Sequence, residues 1–96
     1  MSMKEAYKKK AAAELELAQA RLAEFKAKAK SASADLQVNY AKQIEELDNG
    51  VGVAKGKLKE LGDAGEEAWE KLKDGVESAL RSVSASIRDI ADKIKH

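Results

Sequence analysis

The stretch "LGDAGEEAWEKLKDGVESAL", residues 61–80, holds the densest set of side chains that could do chemistry. Asp63, Glu67, Glu70, Asp74 and Glu77 recur at steps of 4, 3, 4 and 3, so a helix brings them into one row. Paired carboxylates can exchange protons or hold a hard cation. Acid–base work also needs a pocket that shifts their pKa values, and the surrounding sequence suggests none. A di-metal carboxylate bundle draws on Glu-x-x-His pairs, and the only histidine is His96, the last residue. The row instead flanks Ala68, Leu72 and Val76. Charges at such flanking positions in coiled coils choose partner and orientation. The expectation is an interhelical or solvated charged face, with no catalytic residue, metal or cofactor.

A second set is basic. Lys8, Lys9 and Lys10, then Lys26, Lys28 and Lys30, could face a phosphate-rich surface, and with Phe25 they suggest an amphipathic helix on an anionic membrane. Against this, the apolar face is half alanine, and Glu14, Glu16 and Glu24 interleave. A formal net charge of +1 gives no general pull toward nucleic acid, which also favours more stacking aromatics than this chain carries. Trp69 sits beside the apolar residues Leu72 and Val76. It reads as a core-edge residue or as an anchor for a partner helix or lipid. Trp69 with Lys8, Lys9 and Lys10 is therefore the candidate anchor set. Glycine-rich "DNGVGVAKGK" lacks the Gly-Lys-Ser/Thr ending of a phosphate loop. No enzyme is expected.

These residues need helices to place them, and the sequence supplies helices almost throughout. Ala, Glu, Lys, Leu and Arg dominate, proline and cysteine are absent, and 96 residues suffice for one domain. No disulfide is available, and no apolar run approaches the roughly 20 residues of a membrane span. The basic start lacks the apolar core of a signal peptide, so the cytoplasm is the expected compartment.

An apolar stripe runs from Ala11 to Ile94 without a charged residue, at a mean step of about 3.6, the α-helical period. The members expected to carry self-association are Leu22, Phe25, Leu36, Tyr40, Ile44, Leu47, Leu58, Leu61, Leu72, Leu80, Ile87 and Ile90. Steps of four repeat at Ala32–Leu36–Tyr40–Ile44 and at Leu72–Val76–Leu80, stutters that relax a left-handed supercoil. The serines at 31–34 and 82–86 fall at helical positions.

A stripe this long must meet another helix. Two breaks present themselves. Asn49-Gly50 could stop a helix near 49–52, and Gly62 could stop one near 62–65, with Asp63 and Glu66 forming a capping-box pattern. Charge separates them: residues 49–59 carry +3 and 60–77 carry −5, so a turn at 62–65 lays opposite signs together. The expected architecture is all-α, with a helix over about 4–61, a turn at 62–65 and a helix over about 64–95. Residues 1–30 then overhang and need a partner.

Within this frame, "YAKQIEELD" (40–48) and residues 61–80 resemble small bacterial coiled-coil domain-containing proteins of uncharacterised function. "AGEEAWE" followed by "LKDGVESA" is the most distinctive part, and Asn49–Gly56 departs from the charged helix formers usual there. The resemblance implies a long helical, non-enzymatic protein with no catalytic residues to carry over. A looser likeness to apolipoprotein-type and desiccation-protein repeats implies a lipid or stress role. The function expected is interaction or scaffolding by a homo-oligomer, first a dimer forming an antiparallel bundle, or association with a foreign partner helix. The alternative is a surface-seeking protein that folds on lipid or a partner.

Overall fold

The computed structural model describes residues 2–95, with side chains through Lys93; Ile94 of the stripe and His96 lie outside that description. The described residues form three helices: α1 (Met3–Lys30), α2 (Ala34–Asp63) and α3 (Trp69–Lys95). They pack into a rod of 50 × 19 × 18 Å.

The first break is at 31–33, where a continuous helix over 4–61 was expected. At 1.5 Å per residue that helix would be about 87 Å long and would leave its first half uncovered. Folding at 31–33 instead yields three helices of 28, 30 and 27 residues, close enough in length to pack side by side. Serine makes the turn. Ser31 closes α1, its N–H reaching the Ala29 and Lys28 carbonyls. Ser33 caps α2, its side chain accepting the Leu36 N–H at 3.4 Å. The Gln37 amide donates back to the carbonyls of Lys30 (3.3 Å) and Ala32 (3.2 Å), satisfying groups the helix end leaves open. At the start of α1, Ser2 accepts the Glu5 N–H at 3.1 Å in the same manner.

The second reversal follows Asp63. Gly62 is still inside α2, and Asp63 is the last residue of that helix rather than the N-cap of the next. Ala64 leaves in extended conformation, and its carbonyl accepts Lys4 Nζ at 2.9 Å. The Gly65 carbonyl then accepts the N–H groups of Ala68 (3.0 Å) and Trp69 (3.2 Å), which starts α3. The alternative turn at 49–52 is not taken, because α2 runs straight through Gly50, Gly52 and Gly56 without a positive φ.

The stripe closes on itself inside one chain. Ala11, Leu15, Ala18, Leu22 and Phe25 of α1 meet Leu47, Val51, Ala54 and Leu61 of α2 and Val76, Ala79, Leu80, Val83 and Ile90 of α3. Residues 1–30 do not overhang; α1 is one third of the core. No polar or charged side chain among the described residues is buried. Lys57 of α2 lies alongside Gly75 of α3, within the acidic segment. On the other flank Lys26 faces Asp48 at 3.8 Å across α1 and α2.

Candidate interaction surface

The three seams are unequal. α2 shares its widest interface with α3, and α1 with α3 the narrowest. Between α1 and α3 lies an open cleft of about 540 Å³. Its floor includes Ala11, Ala18, Leu80, Val83 and Ile87; its α1 wall carries Lys10, Glu14 and Arg21, and its α3 wall Glu77 and Arg81. Leu17 stands on the lip, 69% exposed.

The two helices that line this cleft differ in how they spend their apolar residues. α3 is sharply amphipathic, whereas α1 is barely so. Ala12, Ala13, Leu17, Ala20 and Ala23 of α1 are all exposed, interleaved with charged residues such as Lys10, Glu14 and Glu24. A helix of this kind covers its core partners and still offers a second contact surface.

At one end of the cleft stands Tyr7. Its ring lies 6.0 Å from that of Trp69, tilted by 39°, and Lys73 Nζ sits 5.3 Å over its face. The Tyr7 hydroxyl donates to the Lys73 carbonyl at 3.4 Å. Burial pushes that hydroxyl up to about 12, and the carboxylates of Glu77, Glu14 and Asp74 add to the effect. The folded state thus holds the phenolic proton more tightly than the unfolded chain, whose tyrosine titrates near 10. The stability this gives is complete below about pH 10 and is lost as pH rises through about 12. Tyr7→Phe removes that group, so the gap in stability between wild type and variant is expected to narrow between about pH 10 and pH 12. Paired urea titrations at several alkaline pH values measure it, and a gap that stays constant refutes the assignment.

The residues singled out in the sequence are distributed as follows. Leu22, Phe25, Leu47, Leu61, Leu80 and Ile90 are buried, and Ile44, Leu58, Leu72 and Ile87 pack half-buried against them. Tyr40 is half-buried and donates to the Lys93 carbonyl at 3.3 Å. Leu36, at 43% exposure, is outside the core. It falls in the first turn of α2, beyond the reach of the other two helices' apolar faces. Trp69 is 5% exposed and is held by Tyr7, so its ring serves the bundle's own core rather than an outside anchor. Lys8 lays its aliphatic chain over Gly62, and Lys9 and Lys10 are exposed, Lys10 at the cleft.

The carboxylate row is solvated: Asp63, Glu67, Glu70 and Asp74 are exposed, and only Glu77 is half-buried, in the cleft wall. Among the described residues no group of three or more acids or histidines is placed to hold a metal ion, and no helix is long and apolar enough to cross a membrane. On α1, Glu24 lies between Arg21 and Lys28, each at 3.2 Å, and Arg21 also stands 5.0 Å over the Phe25 ring. The hydrogen bond from Lys28 is the main reason the Glu24 carboxyl is held below its usual range.

The exposed face of α1 is what the stripe did not reveal. Lys10, Glu14, Leu17, Arg21 and Glu24 recur at 4, 3, 4 and 3, a heptad row legible in the sequence but carried beside the core, along the lip of the cleft. Compared with family models, curated proteins and solved structures, the chain matches none.

Proposed function

We propose that the protein is a non-enzymatic helical interaction module that works by self-association. The observation that carries this reading is the open α1/α3 cleft with exposed Leu17 on its lip, in a chain whose large stripe residues are mostly satisfied internally. An apolar groove left open to solvent is a common mark of a contact site. The likeness of residues 40–48 and 61–80 to small bacterial coiled-coil proteins belongs to the same reading, as does a cytoplasmic setting.

Self-association here differs from the helical hairpin dimer that the sequence suggests. Each chain closes its own core, so the subunits meet as preformed three-helix rods and not as halves of one four-helix bundle. Association is then reversible without unfolding, and its strength rests on a modest surface. Absolute mass by light scattering after size exclusion, at low and at high micromolar protein, tests the reading. The expected result is a mass rising to twice that of the chain. A monomer at every concentration overturns it and turns the search to a foreign helix or a lipid surface.

A further inference from the structure

We infer that α1 pairs antiparallel with α1 of a second copy, Leu17 against Leu17, over the α1/α3 cleft. The inference rests on the self-association reading and specifies its geometry. Around a helix, Lys10, Glu14, Arg21 and Glu24 all fall within about 60° of Leu17 at 100° per residue. The buried α1 residues point to a different side. The signs along this face are plus at Lys10, minus at Glu14, none at Leu17, plus at Arg21 and minus at Glu24.

Reversing that row about Leu17 inverts every sign. In an antiparallel pair centred there, Lys10 meets Glu24 of the other copy and Glu14 meets Arg21. Twofold symmetry then repeats both contacts, giving the isologous closure that limits assembly to a dimer. A parallel pair in register would set each charge against its like. The side chains between also fit: Ala13 falls opposite Ala20, and small residues let two helices approach closely. Each Leu17 then leaves solvent for the apolar floor formed by Val83 and Ile87 beneath the seam. The intrachain contacts of Arg21 and Glu24 are exposed and three residues apart, so they yield to an intermolecular partner at little cost.

Charge exchange tests the register. Glu14→Arg places like charges at both symmetric sites and is expected to weaken the dimer about tenfold or more. Adding Arg21→Glu restores opposite signs, and the double variant is expected to return to near wild-type association. Sedimentation equilibrium reads these constants, with circular dichroism confirming that each variant is folded. Because the chain has no cysteine, Leu17→Cys provides an independent probe: it is expected to form a disulfide-linked dimer much faster than Val53→Cys, which is also exposed but lies on α2.

A wild type that associates while Glu14→Arg is unchanged, or a double variant no better than the single, overturns the α1 pairing and leaves self-association standing through another face. Equal oxidation rates at positions 17 and 53 overturn it as well. A wild type that stays monomeric overturns both statements together.

Discussion

Phe25→Ala is expected to cost about 3–5 kcal/mol, and Leu36→Ala, from the same stripe, well under about 1 kcal/mol. Phe25 is 2% exposed and among the largest fully buried side chains, so loss of its ring leaves a cavity in the core. Leu36 is 43% exposed and leaves no cavity. For a domain of this size, total stability is of order 5–15 kcal/mol, so loss of Phe25 leaves a marginal protein. The contrast separates the three-helix rod from a hairpin with an overhanging first helix. In that hairpin Leu36 would lie opposite the C-terminal helix, and Phe25 would matter only in an assembled dimer. Urea titrations at two protein concentrations decide it. The rod predicts a large loss at Phe25 whose size does not depend on concentration. Equal losses at both positions, or a Phe25 effect that vanishes on dilution, refute this packing.

Those two residues also show why the sequence was legible in period and not in folding. The stripe passes through Phe25, Ala29, Ala32, Leu36 and Tyr40 with hardly a missed step, because a turn of only three residues shifts helical phase by less than one turn. Arithmetic along the chain therefore runs straight over a reversal of direction. Its trace was the repeated step of four, which has two physical causes: a relaxed supercoil or a hidden turn. Caps distinguish them. Lys28 and Lys30 end α1 with the charge a helix C-terminus prefers, and Ser33 with Asp35 opens α2 as an N-terminus should. Glycine was the misleading signal, since Ser31 closes α1 at φ −92° and ψ 0° and no described residue takes a positive φ. Ala68 falls in the turn before α3 and stays exposed, while Trp69, the first residue of α3 and three before Leu72, enters the core. The charge row on α1 was readable as a heptad from the start. It could be assigned to the outside only once Leu15, Leu22 and Phe25 had fixed where the inside is.

The glycines of α2 carry the second large prediction, and its sign is opposite. Gly52 and Gly56 sit in mid-helix, exposed, and a Cβ added at either meets no other group within 4 Å. Glycine there costs roughly 0.5–1 kcal/mol relative to alanine, because the unfolded chain loses more freedom on entering the helix. Gly52→Ala with Gly56→Ala is therefore expected to stabilise the protein by about 1–2 kcal/mol, the two sites acting additively where neither touches a neighbour. Gly50→Ala is expected to gain less, since its Cβ would come within 3.4 Å of Val83 Cγ2 at the α2/α3 seam. A chain that turned at 49–52 would need its glycines in left-handed conformation, and alanine would then destabilise it. Denaturant midpoints give the sign directly. The same double variant bears on the dimer, because Gly52 and Gly56 are spaced for close helix approach on a face separate from Leu17. With α1 as the interface, association is unchanged while stability rises. Loss of association in a protein that has become more stable would move the contact to α2 and leave the charge row of α1 as a solvated face.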